Sequence, residues 1–544
     1  MNESNNKKLF SASFLTLVAA GIGFSVRGII LKDWGNQFGF TQSELGTISG
    51  GGLIGFGLTI IALSFVADAI GYGKLMLLAF TLHASSAVVT FAATPVYAMY
   101  GKEGAFWCLS IGMWLFAFGN GACEAVINPL TASLYPQEKT KWLNILHAGW
   151  PLGLILGAVI GLVFESISVP VRWEIKLGIF LIPVLAYGML MFNKSFPRSE
   201  ASMSGVSVGS MLITIFSPLI VFLFLLHAMV GYVELGTDSW IVNITGRVLE
   251  NVTYALLAFI WINSIMFVLR FFAGPIVHKI NPIGLLFVSA ILGSTGLALL
   301  GSNITTGSIV LWMVASTIFA LGKTFYWPTL LGVISERFPK GGALALGISG
   351  GIGMITAGYL GAPGIGYKQD YFSVEKLKDI APETYDRYVS RTDDGKLSEK
   401  GFPIVTGVLP KYAPPVAGLD NGKLKIQEDY AGVLAAEKAG KKGELTTLES
   451  DVATLEKEKA ANKPVEPALD KSLHAQLDWW NTQGKPNYAV DQPKLKEATT
   501  YGAKTALLYT AGVPAMMAIG FLLLLLYFKA TGGYKQIHIG DEKH

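Results

Sequence analysis

Asn120, Glu124 and Asn128 stand at i, i+4 and i+8 inside a long apolar stretch, so all three side chains share one helical face. An ionisable group in such a stretch must be paired, face a cavity or serve a function. Desolvation disfavours a carboxylate's charged form, so Glu124 could take up and release a proton there. A permanent basic partner, with Arg27 and Lys323 as candidates, would instead make it structural. Pro129 directly after Asn128 loosens the backbone at the same place. Arg27 is open to two readings. It clamps Glu124, or it offers its planar fork to an anion such as a sugar acid, with Lys323 as a second cation.

Further polar candidates, His147, Glu234 and, more weakly, His227, sit in other apolar stretches. As a residue type, His147 reads more readily as a packed or hydrogen-bonded group than as a proton carrier. Trp150, Tyr232, Trp240, Tyr326 and Trp327 offer flat surfaces suited to the C–H faces of a sugar ring, although aromatics are also common at membrane interfaces. No G-x-x-x-x-G-K-[ST] loop, nucleophile arrangement or metal-ligand cluster stands out, so the chain reads as no enzyme, with no cofactor and no metal. Cys108 and Cys123 share one apolar segment, which suits neither a disulfide framework nor a thiolate site.

The elements that must position these groups follow from composition. A chain of 544 residues that is 51% hydrophobic and 15% charged, with a mean hydropathy of +0.47, holds more apolar surface than a soluble core buries. A bilayer core needs about 20 apolar residues per helix. Spans are expected near 9–31, 46–66, 75–97, 105–134, 142–164 and 175–193, then near 210–233, 252–274, 284–301, 307–335, 341–362 and 503–528. The fold class is therefore all-α integral membrane, twelve helices in two six-helix bundles, in contact with lipid. The 62 glycines suit close helix packing in lipid, and Gly149, Gly153, Gly157 and Gly161 form a four-residue stripe. A net charge of +4 spread over many loops gives no footprint for nucleic acid. The N-terminal MNESNNKK runs into an apolar stretch without a small-residue cleavage site, as a retained first helix would.

The expected divisions are 1–193 for the first bundle, 194–209 for a linker, 210–364 for helices seven to eleven, 365–500 for a polar insert and 501–544 for helix twelve with its tail. Lys7, Lys8, Lys74, Lys139, Lys141, Lys194, Arg198, Lys279, Arg337 and Lys340 gather on one side of this topology. Lys32, Lys102, Arg172, Lys176 and Arg247 fall on the other, which puts both termini in the cytoplasm of a cell's inner membrane and the insert outside. Within the insert, Leu445, Leu448, Val452 and Leu455 repeat at 3, 4, 3 spacing, as an amphipathic helix pairing with the segment around Leu473 and Leu477 would. The insert is either a small ordered cap or a flexible loop, and its partner is not legible.

F-A-F-G at 116–119 precedes Pro136 by the same distance that F-A-L-G at 319–322 precedes Pro339. Duplicated halves are the organisation of a carrier whose midplane site opens alternately to each side. The turn S-F-V-A-D-A-I-G-Y-G-K, with Asp68, Gly71 and Lys74, and its echo R-F-F-A-G-P-I-V-H-K, with Arg270, resemble the paired loop signature of the major facilitator superfamily. Ser64 stands at the first glycine of that signature, and His278 replaces the second-half aspartate. The resemblance implies a conformational latch at Asp68, Gly71, Lys74 and Arg270.

E-A-V-I-N-P (124–129), K-W-L-N-I-L-H-A-G-W-P-L-G (141–153) and G-Y-V-E-L-G-T-D-S-W-I-V-N (231–243) are similar to segments of the fucose permease family of sugar and proton symporters. That similarity implies a monosaccharide or related polyhydroxy substrate. Glu124 would be the protonatable carboxyl, and Asn128, His147, Trp150 and Glu234 would line the pathway. The family's first-helix acid falls at Gly28, beside Arg27, so its two-carboxylate pair is not intact. An organic anion read by Arg27 and Lys323, or a membrane sensor acting through the insert, are the other readings.

Overall fold

The computed structural model describes residues 3–539 apart from 39, 41, 167–170, 306, 393, 439, 441–445 and 461–466. Twelve helices among the described residues are long and apolar enough to cross a membrane. The first six are Glu3–Leu31, Thr47–Ser64, Tyr72–Phe91, Ala93–Leu134, Lys139–Phe164 and Trp173–Met191. The other six are Pro218–Asp238, Val252–Arg270, Ala273–Gly301, Ile309–Arg337, Pro339–Ile380 and Asp470–Ala530. We call these spans one to twelve, and each set of six a half.

The chain divides into two compact units, Met1–Pro363 with Leu507–His544, and Gly364–Ala506. Several span bounds differ from the hydropathy reading. Span seven starts at Pro218, because a proline lacks the N–H that a helix interior needs and suits a first turn; Val208–Ile215 forms a separate short helix before it. Span three ends at Phe91, and the following helix Ala93–Leu134 is broken at Gly101, whose φ of +67° is open to glycine. Span nine is kinked at Asn281, directly before Pro282.

Small residues set the helix spacing in the first unit. A methyl group added at Gly153 would lie 2.4 Å from the Val18 carbonyl oxygen, and one at Gly149 2.6 Å from that of Phe14. Gly157 and Gly161 meet the side chains of Ser25 and Ile29, so the glycine stripe of span five is the face on which span one rests. The two halves touch through similar surfaces: methyls at Gly57 of span two and Gly351 of span eleven would lie 2.8 and 2.9 Å from each other's carbonyl oxygens. With no hydrophobic drive between helices in lipid, such backbone approach supplies the van der Waals contact that holds them.

The second unit is mainly helical and, among the described residues, has one two-stranded antiparallel ladder pairing Glu399–Lys400 with Val416–Ala417. Its core gathers Val374, Leu377, Tyr388, Leu495 and Ala498. Beside it Asp491, fully buried, takes two bonds from Arg387, at 2.9 and 2.5 Å, and one from the Thr384 hydroxyl at 2.7 Å. Leu448 and Val452 of helix Thr447–Ala460 pack with Leu473, Leu477 and Trp480. Leu445 lies outside the described residues.

Candidate functional site

Glu124 is 4% exposed on span four. Its Oε2 accepts from Asn128 Nδ2 at 2.5 Å, and Asn128 Oδ1 lies 2.9 Å from His147 Nε2. An amide oxygen only accepts, so this contact requires a proton on His147 Nε2. No lysine or arginine pairs with Glu124 among the described residues.

His147 ends the helix Lys139–His147, and the break before Gly149 leaves its carbonyl oxygen free to accept from Arg270 Nη1 at 2.5 Å. A second break, after Lys323 in span ten, frees the Thr324 carbonyl, which accepts from Arg270 Nε at 2.9 Å. Arg270 Nη2 then donates to Glu234 Oε1 at 3.0 Å, with both side chains at 4% exposure or less. Interrupted helices are tolerated at membrane depth where their freed backbone groups find partners, and here one guanidinium serves both breaks. The result is a continuous polar chain, Glu124, Asn128, His147, Arg270 and Glu234, running from the first half into the second.

One turn along span seven from Glu234, Asp238 pairs with the fully buried Lys323. Glu234 Oε2 and Asp238 Oδ2 are buried and accept from no donor among the described residues. Asp238 was not singled out from sequence, although its position four residues after Glu234 is the spacing that places two groups on one face. His227, on the same side of span seven, meets the Ser349 hydroxyl through Nδ1 at 2.5 Å, has no partner for Nε2 among the described residues and lies edge-on to Trp327 at 4.5 Å.

Several expected members lie elsewhere. Asn120 does not join Glu124: its Oδ1 lies 3.1 Å from Nε2 of His83, whose Nδ1 meets the Tyr187 hydroxyl at 2.9 Å. Two steps of four residues turn a side chain by about 80° at 3.6 residues per turn, enough to send Asn120 into the interior of the first half while Asn128 faces span five. Arg27 does not clamp Glu124 either. It donates to the Gly23 carbonyl and the Ser86 hydroxyl, both at 3.3 Å, and its guanidinium lies 3.8 Å from the Phe116 ring centroid and 5.0 Å from that of Phe180. All of these partners come from spans one, three, four and six. Since Lys323 is held by Asp238, the structure does not bring Arg27 and Lys323 together as one anion clamp.

The aromatic candidates are mostly engaged in packing. The Tyr326 hydroxyl donates to the Ser289 carbonyl at 3.0 Å, and Trp240 Nε1 to that of Ala362 at 2.7 Å. Trp150 is half-buried, edge-on to Phe24 at 5.4 Å.

The latch residues separate too. Arg270 belongs to the buried chain above, because two freed carbonyls and a carboxylate draw its guanidinium inward. Asp68 accepts from the Tyr72 hydroxyl at 3.1 Å, and its second oxygen would lie 3.4 Å from a methyl on Gly342, the first residue of helix Gly342–Thr356. A carboxylate suits that helix start, where unpaired N–H groups carry partial positive charge. Gly71 makes the turn at φ +90°, and Lys74 is exposed.

Three potential metal ligands, Glu456, Asp470 and His474, group together in the second unit. Lys459 already donates to both carboxylates, at 2.9 and 2.7 Å.

Residues 13–363 match the Major Facilitator Superfamily. A gentisate transporter of Corynebacterium glutamicum is 23% identical over 184 residues, 32% of this chain and 37% of the relative, so the chain matches little more than a third of that protein's length. Among solved structures, the FucP transporter in its outward conformation superposes with a TM-score of 0.55 at 16% identity, covering 66% of this chain and 92% of that one. The proton:xylose symporter XylE bound to 6-bromo-6-deoxy-D-glucose gives 0.55 at 16% identity, over 66% and 88%. A bacterial homolog of the human lysosomal transporter Spinster, inward-facing and unoccupied, gives 0.54 at 15% identity, over 96% and 99%. Twelve apolar helices in two halves, joined by a buried polar chain and matched in this way, are those of a multi-pass membrane transporter, not an enzyme, and the chain belongs to the Major Facilitator Superfamily.

Proposed function

We propose that the protein carries a neutral polyhydroxylated solute, a monosaccharide or close relative, together with a proton bound at Glu124. One observation carries this reading. Along the buried polar chain Arg270 is paired with Glu234 and, beside it, Lys323 with Asp238, while Glu124 has no cation among the described residues. This group of residues is then neutral when Glu124 is protonated and negative when it is not, so in neither state does it hold a net positive charge to attract an anion. It also offers what hydroxyl groups need: Glu234 Oε2 and Asp238 Oδ2 are buried acceptors with no donor among the described residues. An unmade bond to a buried carboxylate oxygen is costly, so a ligand hydroxyl that supplies it gains in affinity and specificity.

The sugar substrates named for FucP and XylE relatives agree with this reading. Asn128 and His147 position the Glu124 carboxyl. Both termini are assigned to the cytoplasmic side of a cell's inner membrane on the strength of the basic loops, with the insert opposite.

A second reading is favoured by one observation. Arg27 is a buried cation with no carboxylate partner among the described residues, and the gentisate transporter's name points to an organic acid. It would require Arg27 to turn out of the first half.

Uptake into proteoliposomes under an imposed pH gradient tests the choice. Glu124→Gln should keep solute exchange at equal pH and lose accumulation driven by the gradient. Accumulation at the unmodified level would end the proton assignment, and stimulation by acids in place of neutral sugars would move it to Arg27.

A further inference from the structure

We propose that the C-terminal segment 534–537 is a strap that holds the two halves together on the side of the membrane where it lies, and that releasing it is a step of the transport cycle. After span twelve, Gly532 and Gly533 both take φ of +93° and fold the chain back, with Gly533 N donating to the Phe528 carbonyl at 2.7 Å. The Tyr534 ring then stands edge-on to Phe528 at 5.3 Å. Its hydroxyl donates to Glu336 Oε2 at 2.6 Å.

Glu336, 7% exposed at the end of span ten, is the node of this contact. Its other oxygen accepts from the Thr140 backbone N–H at 3.1 Å and from the Thr140 hydroxyl at 2.6 Å, both at the start of span five in the opposite half. The tail adds bonds to both sides. Ile537 N donates to the Glu336 carbonyl at 2.8 Å, and Arg337 Nη1 to the Lys535 carbonyl at 2.6 Å. Gln536 Nε2 reaches the Pro136 carbonyl of the first half at 2.5 Å.

The strap therefore touches Pro136 of one half and Glu336 and Arg337 of the other, and it buttresses the carboxylate that binds Thr140. When the halves rock apart on this side, those groups separate and the strap cannot keep both sets of bonds. A segment that binds only the closed arrangement shifts the population toward it by its differential binding. A hydrogen bond to a buried charged acceptor is worth roughly tenfold or more in such an equilibrium.

The experiment uses the full chain in lipid nanodiscs, with Cys108→Ala and Cys123→Ala and a reporter Ser133→Cys. Ser133 lines a small cavity between the halves beside Lys139, Ser335 and Gly342. The readout is the rate of labelling by a water-soluble maleimide. Tyr534→Phe keeps the ring and removes the bond to Glu336, and should raise the rate roughly tenfold; a chain ending at Thr531 should label at least as fast. If Tyr534→Phe, monodisperse and thermally as stable as its parent, labels at the parent's rate, the strap is refuted. A truncated chain labelling at the parent's rate refutes it equally. Labelling needs no substrate, so either outcome leaves the Glu124 reading to stand or fall on its own test.

Discussion

Replacing Arg270 by Met would leave Glu234 buried without its ion-pair partner. The two side chains are 1% and 4% exposed, so solvent screens neither. Removing one partner of such a pair costs about 3–5 kcal/mol. The carbonyls of His147 and Thr324 lose their donor in the same change. Each orphaned acceptor adds about 1–3 kcal/mol on its own, less when the three effects share one side chain.

A loss of about 4 kcal/mol or more is therefore expected for Arg270→Met. At roughly 1–2 °C per kcal/mol for a chain of this length, the apparent unfolding temperature should fall by about 4–8 °C. The companion Arg270→Met, Glu234→Leu variant removes both charges and leaves only the two carbonyls unserved, so it should recover about 2 kcal/mol of that loss. Intrinsic fluorescence during heating in detergent, read as a rank order of variants, measures both. If the double variant unfolds as early as Arg270→Met or earlier, the buried charge is not what makes the pair matter, and the bonds to the two helix breaks carry its worth.

Gly153→Val places side-chain atoms against the Val18 carbonyl, 2.4 Å from where its Cβ would stand, and should destabilise by about 1–3 kcal/mol or more. Gly178→Ala, whose new Cβ meets nothing within 4 Å, should be near neutral in the same thermal assay, and equal effects would refute span-one packing as the cause. Glu138, between spans four and five, accepts from Lys141 at 2.9 Å, which holds its pKa below the ordinary 4.5. A folded-state pKa below the unfolded one means stability present above the unfolded value and lost as pH falls through the folded one. The effect is small, because the Glu138 side chain is 38% exposed. On acidification from about pH 5 to about pH 3 the parent should lose slightly more thermal stability than Glu138→Gln, and parallel slopes would refute the contribution.

Much of the architecture is legible because the bilayer imposes it. A span must be about 20 apolar residues and must satisfy its own backbone, so hydropathy locates helices. The stripe Gly149, Gly153, Gly157, Gly161 announces a close-packed face before its partner is known, and the structure supplies span one. Kinks are less legible. Gly101 and Asn281 take positive φ in the polar stretches Y-G-K-E-G and H-K-I-N-P that hydropathy leaves between spans, but nothing in the sequence shows that helix continues on both sides of each break.

The site is legible in part for a geometric reason. Spacing fixes a side chain's direction within one or two turns, so Glu124 with Asn128 is readable, and Glu234 with Asp238 should have been. Over eight residues the direction drifts by about 80°, and Asn120 leaves for His83. Which charges pair is decided by where helices break. His147 and Thr324 expose carbonyls because spans five and ten are each interrupted beside them. A guanidinium reaching both is worth more inside than at a surface turn, so Arg270 became the link between halves, although its loop resembles a latch. Once Arg270 neutralises Glu234 and Lys323 takes Asp238, Glu124 is the one acid along this buried chain without a cation among the described residues. A carrier that couples solute to protons needs such a group, able to change charge without dismantling an ion pair that holds the halves together.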